Sequence, residues 1–211
     1  MHSGHQLVRL QRQPLDLLGQ HGRFEKHCSY EEAVRVPLAM RFPGRIAAGR
    51  ASEAFVELVD LAPTICELTG VAQPAAMQGR SLAPLTTGKS DTHRSHVIVE
   101  YAQNEEIMIR DARWKLIYER GATRRTDGYD TGLAMTRNWL RLFDLAADPQ
   151  EMTNLAEKSE HAGEVERLSR LLAEHLKATA RLPEHLPPDD DTLTVLDHCV
   201  RSRDVEPPAG K

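Results

Sequence analysis

One stretch, residues 19 to 45, constrains this chain more than any other. Gly19 and Gly22 bracket His21, so the backbone there can turn tightly or approach a ligand closely. Two adjacent basic side chains follow, Lys26 and His27. Tyr30, Glu31 and Glu32 come next, and then a run through Val34, Val36 and Leu38 to Met40, whose valines suit a strand. Pro43 and Gly44 close the stretch with a turn signal. A polar, glycine-loosened loop that feeds a buried strand mounts reactive groups on a rigid scaffold. By residue type alone, Lys26 and His27 would read as an ordinary surface pair.

The bulk composition excludes several classes. A length of 211 residues suits one domain with a core large enough to fold. A net charge of −4 argues against a general binder of nucleic acid or anionic membrane. Aromatic residues make up 5% of the chain, too few for a base-stacking platform. Three cysteines, far apart and odd in number, do not make a disulfide framework, so a reducing, cytoplasmic compartment is the easier expectation. No apolar run approaches the ~20 residues that span a bilayer. The first dozen residues carry basic side chains without a sustained apolar core, and are not read as a signal peptide.

Periodicity supplies most of the elements. Leu61, Ala62, Ile65, Cys66 and Leu68 share an apolar face at helical spacing. Asp60 is expected as the N-cap, Pro63 falls in the first turn, and Gly70 is the stop. Residues 55–59 suit a short strand or a helical lead-in, and 78–85 a loop with a short helical turn. Residues 96–101 are β-rich. Residues 107–110 and 114–118 predict a hairpin across Asp111, Ala112 and Arg113, and 141–145 a last strand. The polar stretch 120–138 reads as a solvated loop. Val165, Leu168, Leu171, Leu172 and Leu176 predict an amphipathic helix over 162–180 that packs on the small sheet. Prolines and the Asp189 to Asp191 run predict a disordered tail from 183 to 211, although residues 193–196 can dock on the body.

This order of residues resembles the sulfatase family, members of the alkaline-phosphatase-like superfamily. The likeness rests on the loop from Leu17 to Gly22, on Lys26 and His27, on Tyr30 through Leu38, and on Arg41 to Gly44. It continues through Val59 to Val71, Gln78 to Leu85 and Leu142 to Ala156, to roughly residue 180. The resemblance implies an α/β chain, α+β within the fragment itself: the C-terminal part of an alkaline-phosphatase-like sulfatase fold, with a small antiparallel sheet packed on a C-terminal helix. The expected divisions are an unmatched leader at 1–14, the end of the catalytic α/β domain at 15–92, a small-sheet subdomain at 93–182, and the tail. Family members place the opening stretch near mid-chain. The leader is therefore expected to be foreign or frame-shifted on a truncated gene, and the family's usual signal would be lost with the missing half.

The resemblance also implies a chemistry. The nucleophile would be a formylglycine made from cysteine in a Cys-x-Pro/Ala-x-Arg motif, beside a calcium held by oxygen ligands. Cys28 and Cys66 do not fit that motif, and Cys199 has Arg201 where proline or alanine is required. The acidic metal ligands have no counterpart, so neither cofactor is expected in this chain. What the resemblance leaves is a substrate pocket. Lys26 would contact the sulfate group, His27 would lie at the same pocket, and His21 would line the same loop. An ammonium is a compact partner for an oxyanion, and histidine can donate a proton near neutral pH. Glu31, Glu32 and Arg35 are expected to form an internal ion-pair brace. The expected ligand is a sulfated small molecule or sugar. The leading expectation is a sulfatase-like chain inactive by itself. The alternatives are a non-catalytic sulfate- or phosphate-ester binding module, and a fragment of a phosphonate monoester or phosphodiester hydrolase. Self-association through exposed core surface is expected, with residues 34–40 as the edge.

Overall fold

The structure is a computed structural model that describes residues 20–22, 26, 28–101, 105–120, 139–188 and 190–200. The expected leader, His27 and the stretch 121–138 lie outside the described residues. The chain divides into two compact units: residues 36–97 in one, and the segment up to residue 35 with residues 98 onward in the other. The sequence reading groups the segment around Tyr30 with residues up to 92. It belongs instead with the sheet, because Tyr30 and Glu31 bond to strand side chains.

The 36–97 unit is built around two short helices, α2 (Leu61–Thr69) and α3 (Ala83–Thr86), with a 3-10 turn over Leu58–Asp60 before α2. Gly70 ends α2 in the left-handed conformation at φ 76°, as its lack of a Cβ permits. Asp60 precedes α2 but does not cap it. Its carboxylate is buried and instead accepts from the backbone N–H groups of Glu57 (3.0 Å) and Arg80 (2.8 Å), and from the Arg94 guanidinium, with His93 Nε2 at 3.1 Å. Thr64 Oγ1 then accepts from Leu82 N–H at 2.7 Å, tying α2 to α3. A Cβ on Gly79 would lie 2.0 Å from the Val59 carbonyl oxygen, so only glycine fits there. Residues 35–42 belong to no strand. Their exposure nevertheless alternates residue by residue, with Val36, Leu38 and Met40 on the more covered side. The β pattern is real, but no described segment pairs with it.

The second unit contains a four-stranded sheet in the order β1 (Val97–Tyr101), β2 (Glu106–Arg110), β3 (Trp114–Glu119) and β4 (Trp139–Asp144). β2 pairs antiparallel with β3, and β3 with β4, in the register Ile109↔Leu116 and Leu116↔Leu142. The side chains alternate between two faces. Ile107, Ile109, Leu116, Tyr118 and Leu142 face α4 (Ala162–Thr179), whose Leu168, Leu172 and Leu176 complete a buried core. Each buried leucine contributes roughly 1.5–3 kcal/mol. Asn154 holds the open edge of β4, accepting from Leu142 N–H and donating to the Leu140 carbonyl. The region expected to be a disordered tail contains α5 (Thr192–Cys199), capped by Asp191, with Val195 and Leu196 fully buried in or beside that core.

Candidate oxyanion-binding loop

The opposite face of the sheet is unlike the first. Met108, Ile117 and Phe143 form a small apolar patch, and charged side chains surround it. Residues 28–35 cover this face. Cys28, Ser29 and Ala33 are buried, and the one-turn helix α1 (Glu31–Val34) follows.

Two buried ionic groups fasten that segment to the strands. Glu31 accepts from Arg110 and, at 3.2 Å, from Lys115 Nζ. Lys115, with no exposed surface, also lies 2.8 Å from Glu151, whose other oxygen accepts the Glu31 backbone N–H at 2.6 Å. Burial pushes the Glu151 carboxyl above its ordinary range, against the lowering pull of Lys115 and the Glu31 N–H. In the second group, Arg141 Nη2 bridges Glu106 (2.8 Å) and Glu119 (3.0 Å), while Nη1 donates to the Tyr30 hydroxyl at 2.9 Å. Burial alone would lower the Arg141 guanidinium, but Glu106, Tyr30 and Glu119 hold it above its ordinary value. The register explains the bridge: Glu106 sits directly opposite Glu119, and like charges so placed need a cation between them.

Tyr30 carries the order outward to the loop. Its ring stacks on His21 with centroids 3.7 Å apart and planes 4° from parallel, and it meets Phe143 at 6.1 Å. His21 occupies the left-handed region at φ 53°, inside the single 3-10 turn Gln20–Gly22. The turn is thus held by a ring stack as well as by its own hydrogen bonding. Lys26 is exposed and makes no ion pair among the described residues. Of the three expected site residues, the structure places His21 on Tyr30, leaves Lys26 open to solvent, and does not describe His27.

The expected brace is only partly formed as drawn. Glu31 does pair, but with Arg110 and Lys115 rather than with Arg35, which is exposed. Glu32 keeps one buried oxygen without a hydrogen bond. Sequence reasoning missed Lys115, Arg141 and Glu151 because their partners lie far away along the chain. The one available signal was the strand alternation, which puts Lys115, Ile117 and Glu119 on a common face.

No group of three or more histidine, cysteine or acidic side chains lies together in a form that could hold a metal, among the described residues. Cys28 is buried, Cys66 lies within α2, and Cys199 ends α5.

The family pattern described as N-sulphoglucosamine sulphohydrolase, C-terminal, matches residues 19–178. An N-acetylglucosamine-6-O-sulfatase of Bacteroides thetaiotaomicron is 34% identical over 170 residues, which cover 76% of this chain and 28% of that protein. Human arylsulfatase K is 32% identical, over 68% of this chain and 26% of its own length. Among solved structures, one protein in complex with its substrate D-glucosamine-2-N,6-O-disulfate aligns with a TM-score of 0.63 at 32% identity, covering 77% of this chain and 32% of that one. The phosphonate monoester hydrolase of Silicibacter pomeroyi aligns with a TM-score of 0.61 at 27% identity, covering 80% and 34%. The chain therefore spans about a third or less of the length of these relatives. With a matched pattern over most of its length and an alkaline-phosphatase-like fold, this chain belongs to the sulfatase family and carries its C-terminal domain.

Proposed function

We propose that this chain is the sulfate-recognising portion of a sulfuric ester hydrolase, and that by itself it binds a sulfated sugar without hydrolysing it. The observation that carries this reading is the exposed Lys26, which makes no ion pair among the described residues and lies five positions after His21, whose ring stacks on Tyr30 of the sheet-bound segment. An exposed ammonium suits a tetrahedral oxyanion. His21, Lys26 and His27 form the clamp, with His27 able to donate a proton toward the ester oxygen. Attack on sulfur needs a nucleophile and charge neutralisation beyond one cationic pair. Neither the formylglycine nor the calcium belongs to this chain in our reading, so the chain is truncated with respect to catalysis. The sugar assignment is supported by a relative solved with a glucosamine disulfate. The likeness to a phosphonate monoester hydrolase supports a second reading, in which the same clamp holds a phosphonate or phosphodiester.

Calorimetric titration with inorganic sulfate and with methylphosphonate separates the two. Saturable sulfate binding that is lost in Lys26→Ala is expected. Binding of neither anion, or sulfate binding indifferent to Lys26→Ala, defeats the clamp. Preference for methylphosphonate favours the second reading.

A further inference from the structure

A cleft of about 220 Å³ opens in the 36–97 unit, among α2, α3 and the turn at Arg45. Buried Leu68 and Ala83 and exposed Pro84 give it apolar walls, and Arg45, Glu67 and Lys89 give it charge. The backbone fixes where both cations leave the chain. Arg45 and Lys89 each follow a glycine in the left-handed region, Gly44 at φ 79° and Gly88 at φ 77°. In the first turn the N–H groups of Arg45 and Ile46 donate to the Phe42 carbonyl, at 3.0 and 2.9 Å. Ala47 N–H then donates to the Thr86 carbonyl at 3.1 Å, tying that turn to the end of α3. In the second turn Lys89 N–H folds back onto the Pro84 carbonyl at 2.9 Å.

The charges along this cleft are not answered by one another. Arg50, beside Gly88, pairs with Asp91 at 2.8 Å. Among the described residues, Arg45, Glu67 and Lys89 make no ion pair, although all three line the same cleft. Opposite charges that border one space without meeting leave room for a molecule between them. Free carbonyls at the end of a helix would repel an anion. Here the Ala83 carbonyl accepts from Thr87, through N–H at 3.0 Å and Oγ1 at 2.7 Å, and the Pro84 carbonyl accepts from Lys89 and Ser90.

We propose that this cleft binds an anionic monosaccharide, its acid group between Arg45 and Lys89 and a ring hydroxyl donating to Glu67. Two cations call for an anion. A carboxylate beside them calls for a ligand that also donates hydrogen bonds, which inorganic sulfate does not. Leu68, Ala83 and Pro84 suit the C–H face of a sugar ring. A volume below the ~300–1,000 Å³ of drug-sized pockets limits the occupant to about one ring. Sugar acids and sugar sulfates share this chemistry. The site lies within the 36–97 unit and does not rest on the Lys26 clamp.

The test is calorimetric titration of the full chain carrying Lys26→Ala, which removes the clamp. The probes are glucuronate, glucose 6-sulfate, cyclohexanecarboxylate and glucose. Saturable binding of at least one anionic sugar is expected, and the tighter of the two identifies the acid group. Cyclohexanecarboxylate keeps the anion and the ring but has no hydroxyl, so it should bind more weakly than glucuronate, and glucose should not bind measurably. Arg45→Ala and Lys89→Ala should each weaken the anionic sugar by about fivefold. Glu67→Ala should remove the preference for glucuronate over cyclohexanecarboxylate. All three side chains are exposed, so these variants should melt as the parent does. Amide resonances of Gly44, Arg45, Gly88 and Lys89 should shift during the titration. Binding of neither anionic sugar, binding indifferent to both Arg45→Ala and Lys89→Ala, or equal binding of glucose overturns the site. Each of those results leaves the clamp untouched, because Lys26 is absent from the sample.

Discussion

Single residues hold this molecule by placing charge where it is buried and answered. Asp60 is the clearest case. Burial alone would raise its carboxyl, but the Arg94 hydrogen bond, the N–H groups of Arg80 and Glu57 and the charge of Arg94 bring it below its ordinary range. A carboxyl lowered on folding stabilises the native state above its unfolded pKa of about 3.9 and loses that stabilisation as pH falls through the folded value. The melting temperature should therefore drop as pH falls below about 4. Asp60→Asn should melt lower than the parent at neutral pH and show a shallower acid slope. A slope unchanged by Asp60→Asn contradicts this account. Arg141 makes the complementary case. Removing it takes away the cation between the facing carboxylates of buried Glu106 and half-buried Glu119. Arg141→Met is expected to cost about 3–5 kcal/mol by denaturant unfolding, with partial recovery when Glu106→Gln is added.

At the scale of elements, the sheet has two faces with different occupants. α4 covers one through Leu168, Leu172 and Leu176, and residues 28–35 cover the other. Leu172→Ala should cost about 2–5 kcal/mol in urea unfolding, because Leu172 is fully buried against β2 and β3. A loss under about 1 kcal/mol would show that α4 is peripheral to the core. The elements also show how far the chain could be read beforehand. The β2–β3 hairpin and α4 were legible, because period-2 and period-3.6 patterns are local and Gly70 and Asp111 mark local turns. α5 was not legible. Its flanking prolines and aspartates suggest solvent, and only docking reveals that Val195 and Leu196 are buried. Residues 34–40 have the alternation of a strand but pair with no described neighbour, since pairing depends on what lies alongside. The candidate loop was legible as a motif through Lys26 and His21. Its support on Tyr30 and Arg141 was not, because it joins residues 111 positions apart.

For the whole molecule, the 36–97 unit presents Leu58, Val59, Ile65 and Val71 to solvent, each more than a third exposed. A group of large apolar side chains left open favours association. Sedimentation at rising protein concentration is expected to show self-association that Val59→Lys reduces. A monomer at every concentration, melting in one sharp transition, would contradict this. The proposed clamp would hold an oxyanion without the group that attacks sulfur. The most direct measurement mixes the purified chain with 4-nitrophenyl sulfate and follows ester binding and nitrophenolate release in the same sample. Saturable binding, abolished in Lys26→Ala, is expected, with no release above the protein-free rate. Sustained release by the chain alone, abolished by the same substitution, would contradict it.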